Sequence, residues 1–460
     1  MRTRELSGLG LLTDLYQLTM GAAYLKRGIA DSRASFELFV RHLPPVRSYM
    51  VFAGLEPVLE YLGRLSFSAA EVEYVRRHEM FQHVGREFFE RLRHLRFSGD
   101  LWAMPEGTVA FAGEPLLRVE APLLEAQLVE TFLLSMINFQ TSVATKAARM
   151  TQAAAGRPVI EFGTRRAHTP YAGLYGARAA FIGGCAGSSN LEAGYLYGIP
   201  VLGTFAHSYT LAFDDEAVAF RNFWDVFRQR TTLLIDTYDT LRGAERAASL
   251  GRPLRAVRLD SGNFLQLSRR VRALLDRHGR PEIEIMASGD LNEYRIEDLT
   301  RLQAPINSYG VGTELITSQD APALGGVYKL VEIERQGRPA QPAKFSPHKA
   351  TVPGRKQVYR MMRAARGGRA SFDHDWVELQ DAPAPAAGEP LLQPMLRGGK
   401  RVGLAAQETG LQPAQARCRR QLEQLPARFR RLVEAAHYPV RLSPRLQRLL
   451  REARRRQQGG

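Results

Sequence analysis

Cysteine is almost absent from this sequence: two residues, Cys185 and Cys418, in 460. By themselves these two can make neither a disulfide framework nor a zinc site. It fits a reducing, cytoplasmic setting. Long apolar runs are missing too. No stretch of about 18 uncharged apolar residues occurs, so no membrane-spanning helix is expected. The N-terminal MRTRELSGLGLLTDLYQ begins basic, but its apolar stretch is short and is interrupted by Asp14, which argues against a secretory signal. Acidic residues are in deficit, 47 Asp and Glu against 63 Lys and Arg, for a formal net charge of +16. Such a balance favours a polyanionic partner, nucleic acid or a phosphorylated ligand. Much of the excess lies near the C-terminus, at Arg417, Arg419, Arg420, Arg428, Arg430, Arg431, Arg441, Arg445, Arg448, Arg451 and Arg454 to Arg456. These segments carry an apolar face (Leu442, Leu446, Leu449, Leu450), which reads as solvated helix surface. No zinc-finger, helix-turn-helix or RNA-recognition signature accompanies them, so nucleic acid is not the expected partner.

What is present is a change of pattern along the chain. The first part, residues 1–149, mixes helices and strands. LTDLYQLTMGAAYLKRG reads as an amphipathic helix ending at Gly28, Ala34 to Val40 alternates like a strand, and Ala121 to Ala155 looks like one or two long helices. From Pro158 to Glu334 apolar runs recur, among them Val159 to Phe162, Ala179 to Ile182, Ile199 to Leu202, Thr232 to Asp236, Leu254 to Asp260, Ile283 to Ser288, Ile306 to Gly310 and Val327 to Ile333. Helical segments separate most of them. Alternating β and α at this spacing predicts a parallel sheet, closed or nearly closed into a barrel, over residues 150–345. After Gly337 the chain turns Pro- and Gly-rich, with an exposed linker at Ala382 to Pro390, and the C-terminal segment, residues 346–460, ends in a helical, basic tail.

The chemistry sits in the polar, Gly-rich turns that follow the apolar runs. His207 stands in VLGTFAHSYTLAF, after a run read as a short buried strand (Tyr197 to Leu202); a neutral imidazole there can attack phosphorus or accept a proton. Gly289, Gly310 and Gly312 allow close backbone approach and Thr313 adds a hydroxyl, as a phosphate site needs. Arg165, Arg166, Arg258, Lys329, Lys344 and Lys349 offer cations. Asp260 and Asp290 offer carboxylates for sugar hydroxyls or magnesium, although Asp290 could simply cap the helix that starts near Asn292. Each feature alone is weak; together they suggest a phosphorylated sugar ligand.

The blocks LLTDLYQLTM, FELFVRH, VFAGLEPVLEYL, INFQTSVATKAARM, EFGTRRAH, GTFAHS, AVRLDSGN, ASGDLNE and YGVGTEL, in this order, and YPVRLSPRLQRLL in the tail, resemble nicotinate phosphoribosyltransferases. The resemblance implies a type II phosphoribosyltransferase fold: an incomplete α/β barrel with a second α/β domain built from the N- and C-terminal segments. It implies a homodimer with active sites between subunits, and a reaction joining nicotinate to phosphoribosyl pyrophosphate, coupled to ATP hydrolysis and requiring magnesium. Matched motif by motif, His207 is the histidine that ATP phosphorylates, and Asp260 and Asp290 lie near the ribose. Phe162 and the partner subunit's Tyr16 sandwich the pyridine ring, with Thr204 beside it. Arg165 and the partner subunit's Arg41 bind pyrophosphate, Gly312 and Thr313 match the 5′-phosphate site, Gly289 is a further phosphoribosyl pyrophosphate contact, and Lys329 and Lys344 are looser matches. Arg258 lies two residues before Asp260, on the same side of a strand, where it could pair with the nicotinate carboxylate. Ser189 stands where nicotinamide-using relatives carry an aspartate. The chain departs from the pattern at Pro44 to Tyr49, which lacks the expected glycines, and it has no C-terminal cysteine cluster. Rival readings are a nicotinamide-specific relative, a quinolinate phosphoribosyltransferase, and an inert homologue whose basic tail binds nucleic acid.

Overall fold

The computed structural model describes residues 9–345, 351–364, 370–402 and 410–458. The chain folds as two compact units, residues 142–322 and residues 1–141 with 323–460. The first boundary falls near the expected one at 149. The second falls 23 residues before 345, because the apolar run Val327 to Ile333 belongs to Gly326–Arg335, a strand that pairs antiparallel with Arg33–Val40 in the other unit. Apolar periodicity identifies a strand but not the sheet it joins.

The unit of residues 142–322 holds a six-stranded, all-parallel sheet. Its strands are β1 (Val159–Glu161), β2 (Gly187–Ser188), β3 (Thr232–Leu234), β4 (Ala256–Leu259), β5 (Glu284–Ser288) and β6 (Ser308–Val311). The order is β2-β1-β6-β5-β4-β3. Every neighbour is adjacent in chain order except β6 and β1, whose pairing is a closing contact. The ring is left open between β2 and β3, which makes an incomplete α/β barrel. The strands read as near-continuous apolar runs because parallel strands are covered on both faces; in β4 only Arg258 escapes full burial.

The helices that follow the strands start where a short polar side chain caps them. Asn190, Asp239, Asn263 and Asn292 each accept a backbone N–H of the next helix, at Leu191–Tyr197, Thr240–Ser249, Phe264–Arg277 and Glu293–Arg301. Such caps contribute about 1 kcal/mol each. Asn292, not Asp290, therefore caps its helix; Asp290 sits in the preceding turn with φ of +48°. Two runs read as strands are not. Ala179 to Ile182 ends the helix Pro170–Ile182, whose Pro170 stands in the first turn behind a Thr169 cap. The segment Tyr197 to Leu202 closes a helix with a left-handed Gly198 and makes only the single bridge Ser188–Val201, with Val201 43% exposed.

The other unit is built around a seven-stranded antiparallel sheet. Its central strands are Gly326–Arg335, Arg33–Val40, Pro115–Pro122, Asp100–Ala103 and Gln393–Arg397 in spatial order. Its core includes Phe36, Leu38, Leu101, Leu117, Val119 and Leu124, all buried. Beyond the linker the tail is not simply helical, since it also holds the strands Gln393–Arg397, Lys400–Arg401 and Val440–Leu442. Lys356–Arg363, Ser371–Leu379, Glu389–Pro390 and Val440–Leu442 form a second sheet, and helices Leu411–Gln424 and Pro444–Gln458 complete it. Tyr438, in the tail block, stacks on Phe111 at 3.6 Å between ring centroids and donates its hydroxyl to Asp375 at 3.1 Å. The loop lacking glycines is held by the same segment: the Ser48 hydroxyl accepts the Ala436 N–H at 2.8 Å. Both cysteines are buried and neither is in a disulfide. No described helix is long and apolar enough to cross a membrane.

Candidate active site

The site forms at the carboxyl ends of the barrel strands, where side chains escape the sheet and backbone N–H groups are free to bind ligands. Asp260 follows β4 directly. Its Oδ1 accepts the hydroxyl of Ser288, the last residue of β5, and its Oδ2 lies 3.9 Å from Nε2 of His207. The other imidazole nitrogen, Nδ1, is 3.2 Å from the hydroxyl of Thr237. His207 is the first residue of the short helix His207–Leu211 rather than the end of a strand, and its side chain is 41% exposed. It is thus held at Nδ1, with Nε2 turned toward Asp260 and the side chain partly open to solvent. Arg258 is joined to the same segment, its Nη2 donating to the Phe205 carbonyl at 3.0 Å, while its Nε is buried with no hydrogen-bond partner. Burial pushes the Arg258 pKa down, partly countered by Asp260 and Asp236; guanidinium remains cationic at any physiological pH.

Asp236 and Thr237 were not singled out in the sequence, although they end the apolar run of β3 in TLLIDTYD. Asp236 Oδ2 accepts both the Asp260 N–H at 2.9 Å and the Ser261 hydroxyl at 2.8 Å, fixing the turn that presents Asp260. A carboxylate at the end of an apolar run was the available signal. Glu161, at the end of β1, was also missed: it accepts the Ser188 hydroxyl at 2.6 Å and the Gly163 N–H, and burial raises its pKa. Ser189 lies beside it, with its N–H on the Glu161 carbonyl at 2.9 Å. The segment Gly187 to Asn190 is thus not a loop after a strand at Ala179 to Ile182: that run is helical, and Gly187 and Ser188 are themselves β2, with Ser189 and Asn190 just beyond its end.

The glycines divide by role. Gly289 has φ of +100°, and a Cβ there would lie 2.0 Å from the Asp260 carbonyl oxygen. A Cβ on Gly310 would lie 2.7 Å from the Phe162 ring. Both close approaches are to the protein itself, packing the site's own walls. Gly312 differs: the nearest atom to a Cβ there is 3.7 Å away, which leaves its face open, next to the half-buried Thr313. Phe162 is half-buried, Arg165 and Asp290 are exposed, and the Thr204 hydroxyl, half-buried, bonds the Phe205 carbonyl at 3.1 Å. The barrel unit thus carries Arg258 within β4 and His207, Asp260, Phe162, Arg165, Ser189, Thr204, Gly289, Asp290, Gly312 and Thr313 on the segments beyond the strands.

Tyr16, Arg41, Lys329 and Lys344 belong to the other unit. Tyr16 lies on the helix Leu15–Lys26 and is 47% exposed. Burial of part of the ring and the charge of Glu130 raise the pKa of its phenol. Arg41 follows the strand Arg33–Val40, with its guanidinium 5.9 Å from the Phe39 ring centroid. Lys329 sits opposite Glu37 across the sheet, and Lys344 is exposed. Lys349 lies outside the described residues.

Sequence models of known families match in register with this architecture. The nicotinate phosphoribosyltransferase (NAPRTase) N-terminal domain matches residues 11–138, and its C-terminal domain matches residues 378–450. The quinolinate phosphoribosyl transferase C-terminal domain matches residues 143–321, the barrel unit almost to the residue. A nicotinate phosphoribosyltransferase of Mycobacterium tuberculosis is 44% identical over 443 residues, 95% of this chain and 92% of that one. The chain belongs to the nicotinate phosphoribosyltransferase family. The Bacillus subtilis nicotinate phosphoribosyltransferase is 46% identical over 382 residues, covering 81% of this chain and 76% of its own. The crystal structure of human nicotinic acid phosphoribosyltransferase superposes with a TM-score of 0.83 at 30% identity, over 96% of this chain and all of that one. A nicotinate-nucleotide pyrophosphorylase from Pyrococcus furiosus gives a TM-score of 0.72 at 27% identity, over 92% and 99%. A nicotinate phosphoribosyltransferase fold, an incomplete barrel with a second α/β domain, is therefore common to chains of widely different sequence.

Proposed function

We propose that this chain joins nicotinate to phosphoribosyl pyrophosphate, giving nicotinate mononucleotide and pyrophosphate, and that ATP hydrolysis drives the reaction through His207. The observation that carries this reading is the convergence of His207, Asp260 and Arg258 at the ends of neighbouring strand loops. The pyridine nitrogen of nicotinate attacks the anomeric carbon, the bond from that carbon to the pyrophosphate oxygen breaks, and pyrophosphate leaves with the bonding electrons. Positive charge builds on the ribose ring as that bond opens, and the Asp260 carboxylate is placed to stabilise it. Arg258 pairs with the nicotinate carboxylate, and Phe162 supplies an aromatic face for the ring. Release of pyrophosphate from nicotinate and phosphoribosyl pyrophosphate, measured with and without ATP, tests both halves of the reading. No release in either condition would overturn it.

The ATP half-reaction calls for the Nδ1–H tautomer of His207, for which the Thr237 hydroxyl 3.2 Å away is in place as acceptor, so that the lone pair is on Nε2. Nε2 attacks the γ-phosphorus, the bond to the β-phosphate oxygen breaks, and ADP leaves; water later cleaves the phosphohistidine to phosphate. Incubation with γ-labelled ATP is expected to give acid-labile protein label that is lost in His207→Ala. Equal labelling of the two proteins would remove His207 from this role.

Magnesium fits the donor set as a companion of the phosphates rather than as a caged ion. Among the described residues no three His, Cys, Asp or Glu side chains cluster as a metal site. Magnesium commonly uses one or two carboxylates plus substrate phosphate oxygens and water. Asp236, whose Oδ1 is buried with no hydrogen-bond partner, is the carboxylate that would serve. The ion would supply neutralisation of charge on the departing pyrophosphate.

The reading includes a homodimer in which a second copy contributes Tyr16 and Arg41. Support comes from the exposed Tyr16 ring and the motif matches around both residues. Mixing Tyr16→Ala with His207→Ala subunits is expected to restore part of the activity each lacks, since some mixed dimers regain one intact site. Absence of rescue, with subunit exchange shown independently, would count against a shared site.

A further inference from the structure

Lys146 and Arg149, in the block INFQTSVATKAARM, take no part in the reaction as drawn, yet both are buried on the helix Glu130–Ala153. The Lys146 Nζ lies 2.7 Å from Glu293 Oε2, 2.9 Å from Asp320 Oδ1 and 3.4 Å from Glu314 Oε2. Arg149 Nε takes the other oxygen of Glu293 at 2.9 Å. Burial alone would lower the Lys146 pKa, but Glu293 and then Asp320 outweigh it and hold the ammonium protonated.

Such a cluster is an expensive way to pack a helix. Buried ion pairs often stabilise a fold no more than apolar side chains of the same volume. The placement of the three carboxylates gives the lysine another use. Glu293 opens the helix directly after the turn that carries Gly289 and Asp290. Glu314 follows Gly312 and Thr313. Asp320 lies just beyond, in the turn after the helix Thr313–Ile316. One ammonium therefore ties the loop after β5 to the loop after β6, the two loops with the features of a sugar and phosphate site. A compact ammonium with three donors suits three converging carboxylates better than a planar guanidinium. It also offsets acidic charge that would otherwise stand behind a polyanion site.

We propose that Lys146 is a positioning residue for phosphoribosyl pyrophosphate, holding the loops after β5 and β6 at the spacing that receives the ribose and its 5′-phosphate. The assignment of the ligand rests on the function proposed above. Lys146→Met leaves three carboxylates facing one remaining cation, and the variant can fail to fold for that reason alone. Glu314→Gln is the milder probe: its side chain is 22% exposed, and it cuts one of the two ties to the β6 loop while Asp320 keeps the other.

The test measures KM for each substrate and kcat, the Kd for phosphoribosyl pyrophosphate by calorimetry without nicotinate, and Tm, for the wild type, Glu314→Gln and Lys146→Arg. A positioning role predicts that Glu314→Gln raises Kd and KM for phosphoribosyl pyrophosphate several-fold. KM for nicotinate and kcat should stay within about twofold, and Lys146→Arg should fall between Glu314→Gln and wild type. A lowered Tm with unchanged Kd would overturn the proposal, leaving the cluster a structural tie. So would an equal rise in both KM values. If the wild type binds phosphoribosyl pyrophosphate but releases no pyrophosphate with nicotinate, the proposed reaction fails, and the Kd comparison still decides the role of Lys146. A wild type that does not bind phosphoribosyl pyrophosphate overturns both.

Discussion

Replacement of Asp260 by asparagine is expected to lower kcat by roughly a hundredfold or more, with the protein folded and its phosphoribosyl pyrophosphate affinity changed far less. Asparagine keeps the shape of the side chain and can still accept the Ser288 hydroxyl. What it removes is the negative charge facing a ribose ring that becomes cationic only as the pyrophosphate bond opens. Fixed electrostatic groups aimed at developing charge are worth about 10²–10³ in kcat when deleted singly. Because the interaction is made in the transition state and not before it, kcat and kcat/KM should fall together. The Asp260 N–H bond to Asp236 does not involve the altered side chain, so the turn should survive. Steady-state kinetics with a Tm measurement check this; a kcat within threefold of wild type would show that Asp260 is not near the reacting carbon.

The second large effect concerns the choice of nicotinate over nicotinamide. The two differ in charge at one ring substituent, so the site must distinguish an anion from a neutral amide. Arg258 brings a guanidinium with an unpaired Nε to the strand ends, which suits a bidentate carboxylate pair. Arg258→Ala is expected to cost about 2 kcal/mol or more in nicotinate recognition, roughly thirtyfold in kcat/KM, with a much smaller effect on nicotinamide. Ser189→Asp should act in the opposite sense, repelling the nicotinate carboxylate and offering an acceptor to the amide. The buried Glu161 does not already play that part: its carboxylate is engaged by the Ser188 hydroxyl and the Gly163 N–H. The ratio of kcat/KM values for the two substrates is the decisive measurement, because a general loss of structure would lower both. Similar efficiency with the two substrates in the wild type would defeat the charge argument.

Some of this protein is written locally in its sequence. The apolar runs of β1 and β3 to β6 are buried by any arrangement that covers both faces of a parallel sheet, so their composition alone identifies them. The caps Asn190, Asp239, Asn263 and Asn292 mark helix starts because each side chain satisfies an N–H within its own turn. Asp260 was legible because it falls in a polar turn after such a run, and Arg258 because it is the one charge inside that run, β4. The family motifs were legible for the same reason, being short and contiguous.

Tertiary structure decided what depends on contacts between distant residues. Ala179 to Ile182 is as apolar as a strand, yet it ends a buried helix; periodicity over four residues cannot separate the two. Gly326–Arg335 reads as a barrel strand and instead pairs with Arg33–Val40, nearly 300 residues away, since strand pairing is set by the partner edge and not by the strand. The need for glycine at 289 comes from the Asp260 carbonyl 2.0 Å from where a Cβ would stand, a contact between two loops. The orientation of His207 comes from Thr237, thirty residues on. The lysine in ATKAAR acquires its meaning only when helix, loop and loop bring Glu293, Glu314 and Asp320 to one ammonium. Charge separated along a chain interacts weakly through water; buried within 3 to 4 Å it has to be paired, and that requirement exists only in the folded molecule.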